Sequence, residues 1–321
     1  MFADFLCIFF PLSIFFLLLP LFLLVLLHCL IMENYIPGAV IGSGQYGTVR
    51  KGLVRHTGVP VAIKQIRVGR TTEGIPHPVA RELLIVSRLD HPFVVKVVDV
   101  FPHYSCMVIV MERCKMDLGA FIRQFSICTP LDLSSVRHLL KMLLTALAYV
   151  HKMGILHRDV KPANCFLTGN GVLKLGDFGL SRFKADDMSH EVVSRWYRAP
   201  ELLFGRRSYG AEIDIWSAGC IFAELLRGAP GPLFSGDGDL NQLSKIFDVL
   251  GTPSGEAVSI YEELPDWDKV HFDAKTGCGL TQLFPFSPAT ALDLLSSMLS
   301  LNPRTRVSAV DALRHSFFDE V

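Results

Sequence analysis

The sequence predicts an α+β fold with a small strand-rich N-terminal part and a large helical C-terminal part. Two observations carry this. Alternating and β-branched segments crowd between about residues 35 and 115, and from about 117 to 321 apolar residues recur at three- and four-residue spacing. A length of 321 residues suits one large domain or two smaller ones. Net charge is zero, from 31 basic and 31 acidic side chains, which argues against a basic nucleic-acid footprint and against charge-driven disorder. Hydrophobic residues make up 50% of the chain. Mean hydropathy is +0.37, and the excess sits at the N-terminus. Phe5 to Ile31 contains no Asp, Glu, Lys or Arg, and the first lysine or arginine is Arg50.

In chain order, Thr48 to Val54 alternates as a strand, and Val61-Ala62-Ile63-Lys64 reads as its neighbour. Val79 to Leu89 has helical spacing, with Pro78 where a first-turn proline is tolerated. Val94 to Val100 and Cys106 to Met111 are β-branched runs. Ser134 is the expected cap of a helix over Val136 to Val150. Ile213 to Leu226 and Ala289 to Leu299 are further apolar helices. Gly228 to Thr252, rich in Gly, Pro and Asp, reads as surface loop around a short helix. None of the eight cysteines pairs as CxxC or joins a zinc-ligand pattern, so reduced core thiols are expected.

Four motifs carry chemistry. Ile41-Gly42-Ser43-Gly44-Gln45-Tyr46-Gly47-Thr48-Val49 contains GxGxxG. A dinucleotide fingerprint would need a helix directly after the glycines and an acidic residue about 20 positions on. A strand follows instead, and the pattern fits a glycine hairpin lying over phosphates. Lys64 ends an apolar strand. It is either a snorkelling surface side chain or, after such a hairpin, the cation for α- and β-phosphates with Glu82 as helix partner. His157-Arg158-Asp159-Val160-Lys161-Pro162-Ala163-Asn164 matches HRDxxxxN. Asp159 supplies a carboxylate for an attacking hydroxyl, Lys161 a cation for a transferring phosphoryl group, and Asn164 an amide for magnesium. Asp177-Phe178-Gly179 supplies a carboxylate that can chelate magnesium, and Ala199-Pro200-Glu201 follows at the distance expected for the end of an activation segment.

In this order and spacing, residues 32–321 resemble a eukaryotic protein kinase of the cyclin-dependent kinase family, in the CMGC group. Gly74-Ile75-Pro76-His77-Pro78-Val79-Ala80-Arg81-Glu82 is similar to the family's cyclin-facing GxPxxxxRE segment. Trp196 to Leu203, Asp214 to Ile221 and Leu250-Gly251-Thr252-Pro253 are family motifs too. Phe101-Pro102-His103, Met116-Asp117-Leu118, Lys161 to Asn164 and Leu264-Pro265-Asp266 look most like the cell-cycle-related kinase subfamily.

The resemblance implies a two-lobed kinase fold, with an N-lobe and hinge over 32–115 and a C-lobe over 116–321. It implies a proline-directed Ser/Thr kinase using ATP and Mg2+. Met111 would be the gatekeeper, Glu112 to Cys114 the adenine-binding hinge, and Asp117 the ribose contact. Ile41, Val49, Ala62 and Phe166 would sandwich the base. Arg81, Arg158 and Arg182 would converge on a phosphate at Ser189, added by an upstream kinase, and Tyr46 would be an inhibitory phosphorylation site. Ser194 would tie the substrate loop to Asp159, and Arg198 would shape the pocket for proline. Implied partners are protein substrates and a cyclin or other activating subunit at the Gly74–Leu89 helix; nucleic acid is not among them.

Ser189 and Ser194 replace usual threonines but keep the hydroxyl, and His77 and Pro78 differ from the best-known form of the cyclin-facing segment. A catalytically dead scaffold would have lost the lysine or an aspartate. Lys64, Glu82, Asp159, Lys161, Asn164 and Asp177 are all present.

Residues 1–31 admit three readings. A cleaved signal is disfavoured by Asp4 in place of a positive n-region and by the length of the apolar run. An anchor fits that length and would leave the kinase cytosolic. The preferred reading is a start at Met32, giving a cytoplasmic or nuclear protein, because Met32-Glu33-Asn34-Tyr35 runs straight into the first strand. Membrane contact is expected only if the leader is translated and retained.

Overall fold

The computed structural model describes residues 31–44, 47–68, 74–125, 131–227 and 231–319. The expectations for the first 30 residues therefore lie outside the described residues. The described residues form two compact units, one running to Val79 and including Val97–Arg113, the other comprising Ala80–Lys96 and the residues from Cys114 onward.

The first unit is an antiparallel sheet of β1 (Tyr35–Gly44), β2 (Gly47–Val54), β3 (Pro60–Arg67), β4 (Val97–His103) and β5 (Cys106–Glu112), ordered β1-β2-β3-β5-β4. Alternation sorts its two faces. Val61 and Ile63 of β3 and Val108 and Val110 of β5 join Tyr35 and Phe101 in an apolar core, against which Ile31 and Met32 pack. Tyr35 stacks on Phe101 and donates to Asp99 at 3.2 Å. Burial, reinforced by Asp99, raises its hydroxyl pKa to about 12. Ala62, Lys64, Ile109 and Met111 point to the opposite face. Gly47 is required by close approach: a Cβ there would lie 1.9 Å from the Gln65 carbonyl oxygen on β3.

Helix α1 (His77–Val86) starts two residues before the expected helix, with Pro78 in its first turn. The second unit holds the short strands β6 (Met116–Asp117), β7 (Ile155–Leu156), β8 (Cys165–Leu167), β9 (Leu173–Leu175) and β10 (Arg182–Phe183). Its helices begin with α2 (Leu118–Ile122), α3 (Leu133–Lys152), α4 (Pro200–Leu203), α5 (Glu212–Arg227) and α6 (Asp239–Leu250). They continue with α7 (Glu256–Glu262), α8 (Leu280–Leu283), α9 (Ala289–Met298) and α10 (Ala309–Ala312).

The cap of α3 is Asp132, not Ser134. Asp132 is extended and its carboxylate accepts from Ser135 N–H at 2.8 Å, while Ser134 already lies inside the helix. The Gly228 to Thr252 expectation is also corrected. Leu243, Ile246 and Phe247 bury one face of the 12-residue α6, so a polar composition conceals a full amphipathic helix. Among the described cysteines, Cys165 and Cys220 are core thiols, but Cys278 is exposed.

Almost all of α5 is buried, so its polar residues need partners. Ser217 Oγ donates to the Tyr197 carbonyl at 2.7 Å, and Glu224 accepts from the Tyr197 hydroxyl at 2.7 Å. Glu201, from the Ala199-Pro200-Glu201 motif, forms a fully buried two-point pair with Arg306 at 2.7 and 3.0 Å. Removing one partner of such a pair costs about 3–5 kcal/mol. No helix among the described residues is long and apolar enough to cross a membrane.

Candidate active site

The HRDxxxxN loop follows β7 and is held from below by Asp214 of α5. Its carboxylate accepts the backbone N–H groups of His157 and Arg158, each at 2.8 Å, and His151 Nε2 at 2.9 Å. Arg158 has a left-handed backbone (φ 63°), which these bonds fix in place. Burial alone would raise the Asp214 pKa, but the His151 hydrogen bond and the surrounding donors carry it below its ordinary value.

Above this anchor, the Asp159 carboxylate is wired on both oxygens. Oδ1 accepts from Ser194 Oγ at 3.0 Å and Ser194 N–H at 3.2 Å; Oδ2 meets Lys161 Nζ at 2.8 Å and Asn164 Nδ2 at 2.9 Å. Lys161 also donates to Ser194 Oγ at 2.8 Å. The serine therefore makes the tie that the resemblance assigns to a threonine. Asn164 Nδ2 donates to the Asp159 carbonyl as well, at 2.8 Å, so the amide nitrogen is engaged and the amide oxygen remains as the acceptor or ligand atom.

His157 couples this loop to the Asp177 segment. Its Nδ1 accepts Asp159 N–H at 3.3 Å, which leaves Nε2 to donate to the Gly176 carbonyl at 3.0 Å. The ring also packs edge-on against Phe178. A Cβ on Gly176 would lie 2.8 Å from Val95 and 3.0 Å from Phe166, so glycine is needed for space. Asp177 itself is left-handed (φ 57°), a conformation that costs a non-glycine residue about 1 kcal/mol or more.

In the first unit, β-pairing assembles the other candidates. Gly42 lies opposite Val49, Val49 opposite Lys64, and Ala62 opposite Met111. Directly paired residues share a face, so Val49, Ala62, Lys64 and Met111 line one side of the sheet. Ser43 pairs with Thr48 and Gly44 with Gly47 at the hairpin end; Gln45 and Tyr46 lie outside the described residues. Ile41 is exposed, and Glu112 ends β5 ahead of Cys114. In the second unit Asp117 pairs with Phe166 across β6 and β8. Asp117 caps α2, accepting from Ala120 N–H at 2.7 Å. Glu82 is buried on α1.

Ser189 is exposed and its carbonyl accepts from the Tyr209 hydroxyl at 2.5 Å. Arg158 donates to that same hydroxyl at 3.0 Å and to the Leu180 carbonyl at 2.8 Å. Burial, and then the charges of Arg182 and Arg158, lower the Arg81 pKa, so Arg81 lies near enough to both cations to be repelled by them. Farther on, Val193 is left-handed (φ 67°), an outlier for a β-branched residue. Arg198 donates to the carbonyls of Val192 at 2.9 Å and Val193 at 3.0 Å.

Asp214, which begins the Asp214 to Ile221 segment, supports the HRDxxxxN loop together with His151 and Tyr209, none of which the motifs mark as part of the site. A carboxylate inside an otherwise apolar helical run is the signal that marks Asp214.

A β-rich unit followed by a helical one is the two-lobed α+β architecture of the protein kinases, and residues 35–318 match the protein kinase domain model. Cyclin-dependent kinase D-1 of Arabidopsis thaliana is 40% identical over 291 residues, spanning 90% of this chain and 72% of that protein. Cyclin-dependent kinase 20 of Danio rerio is 40% identical over 292 residues, 89% of this chain and 84% of that protein; its Homo sapiens counterpart is 39% identical. The chain belongs to the protein kinase family and, within it, to the cyclin-dependent kinases. It is an ATP-dependent serine/threonine protein kinase.

Proposed function

We propose that this kinase is proline-directed, transferring the ATP γ-phosphoryl group to Ser or Thr followed by Pro in proteins of cell-cycle control or related signalling. The observation that carries the reading is the Val193 carbonyl, turned by a positive φ and already engaged by Arg198. A substrate residue after the acceptor normally brings an N–H that needs a partner. An amide left unpaired against this loop costs about 1–3 kcal/mol. Proline has no N–H and loses nothing.

In this reading Asp159 orients the acceptor hydroxyl, Lys161 neutralises the transferring group, and Lys64 with Glu82 holds the α- and β-phosphates. The segment Gly42 to Thr48 covers the phosphates. A Cβ on Gly44 would meet no atom of the described residues within 4 Å, so packing does not demand glycine there. By the family resemblance, Ile41, Val49, Ala62 and Phe166 would contact adenine, Met111 would be the gatekeeper, Glu112 to Cys114 the hinge, and Asp117 the ribose contact.

Asn164 and Asp177 fit Mg2+, a hard cation preferring oxygen, because the engaged Asn164 nitrogen leaves the amide oxygen as ligand. When bound, Mg2+ neutralises charge on the β- and γ-phosphates. Ser189 is the activating phosphorylation site, whose phosphate would be met by Arg81, Arg158 and Arg182, Tyr46 is an inhibitory one, and the Gly74–Leu89 segment receives a cyclin or other activating subunit.

The test is a pair of peptides differing only in Pro or Ala after the acceptor serine. The expected kcat/KM ratio is on the order of 10 or more, and a ratio of one would contradict the reading.

A further inference from the structure

Arg198 is itself held from outside the substrate loop. The Asp239 carboxylate, at the first position of α6, lies 3.6 Å from Arg198 Nη1 and accepts from Arg195 Nε at 2.8 Å. Arg195 Nη1 also donates to the Asp237 carbonyl at 3.0 Å, and Trp196 Nε1 to the Gly236 carbonyl at 2.9 Å. This loop is not free to drift. Gln242 is fully buried, accepts Gly236 N–H at 2.7 Å and donates to the Phe234 carbonyl at 3.2 Å. A Cβ on Gly236 would lie 2.5 Å from Gln242 backbone atoms, so the chain approaches α6 as closely as it can.

We infer that Asp239 is a positioning residue for substrate specificity, holding Arg198 on the Val192 and Val193 carbonyls so that the residue after the acceptor must be proline. This rests on the proline-directed reading and deepens it. Without Asp239, Arg198 would keep only carbonyl hydrogen-bond acceptors and the weaker attraction of Glu191, and its long side chain could leave them for water. The Val193 carbonyl would then accept an ordinary substrate N–H, and discrimination would fall. Asp239 touches no substrate in this account; it acts only through Arg198. The Arg198 side chain is 15% exposed and the Asp239 side chain 49%, so the interaction has the strength of a partly screened ion pair.

The experiment uses the full chain purified from its own host with its accompanying subunits. The kcat/KM ratio for the Pro and Ala peptides is measured for wild type, Asp239→Ala, Asp239→Asn and Asp239→Glu. Asp248→Asn, on the same helix as Asp239 and breaking a surface pair with Lys275 of a later segment, is the control. A general loss of folded protein lowers both rates and leaves the ratio alone. The expected result is a ratio lowered roughly two- to fivefold in the Ala and Asn variants, restored in Glu and unmoved in the control. A wild-type preference for proline that persists in both Asp239→Ala and Asp239→Asn overturns this inference while leaving the proline-directed reading intact. No wild-type preference overturns both.

Discussion

Helix α5 buries two carboxylates, Asp214 near its start and Glu224 near its end, and they meet opposite fates. Asp214 receives two backbone N–H groups and an imidazole, and its pKa falls below 3.8. Glu224 receives one tyrosine hydroxyl, so desolvation prevails and its pKa rises to about 7. Burial is shared; the number and kind of donors decides which form is stable. The difference matches their positions. Asp214 fixes the catalytic loop, where a permanent charge can organise backbone N–H groups. Glu224 fixes Tyr197 in the substrate loop, where one neutral hydrogen bond suffices.

The largest effect should come from breaking the Asp214 side of this comparison. Asp214→Ala strands the N–H groups of His157 and Arg158 in the core and should destabilise the protein by about 3–5 kcal/mol. Denaturant unfolding measures this, and activity should be lost alongside it. An unfolding midpoint equal to wild type would sink the idea that Asp214 anchors the loop.

The Glu224 side predicts a pH signature. An acid whose folded pKa is raised favours its protonated form in the folded state. Its contribution is therefore complete below 4.5 and is lost as pH rises toward about 7. The loss amounts to about 3 kcal/mol. Asp214 has the reverse sign: its contribution is present above 3.8 and disappears as pH falls below it. Glu224→Gln should flatten the decline in stability between pH 4.5 and 7 and leave the acid limb untouched. An unchanged slope in the Gln variant would show that Glu224 is ionised in the native protein.

A smaller and purely functional effect is expected at Ser189, outside both anchors. A phosphate there would meet Arg81, Arg158 and Arg182 and relieve their repulsion. Ser189→Ala should lower activity by roughly tenfold relative to phosphorylated wild type, with no change in unfolding midpoint. Equal activity of the two proteins would remove the assignment.

What was legible in the sequence follows from the same contrast. Asp159, Lys161, Asn164 and Asp177, the residues we propose for phosphoryl transfer, stand in motifs whose spacing is readable directly from the sequence. Asp214 serves the loop from 57 residues away in sequence, and no local pattern announces that partnership. The same limit explains the α3 cap. Ser134 and Asp132 are equally good capping types, and only the extended backbone at Asp132 chooses between them. Composition misled at Gly228 to Thr252, because glycines and aspartates flank α6 while its apolar stripe needs only Leu243, Ile246 and Phe247. Arg195 and Asp239 were invisible as a pair, since what joins them is a tertiary bond between separate segments.

We propose that the Asp159 carboxylate, wired to Lys161, Asn164 and Ser194, orients the acceptor hydroxyl for phosphoryl transfer. The most direct measurement is the rate of γ-phosphoryl transfer from Mg-ATP to a Ser-Pro peptide by Asp159→Asn beside wild type. ATP affinity would be followed by thermal shift, where a ligand at 100 times its Kd adds about 2.7 kcal/mol. The predicted result is a rate lowered by roughly 10²–10⁴, with the Mg-ATP stabilisation retained. Transfer at the wild-type rate would contradict the account.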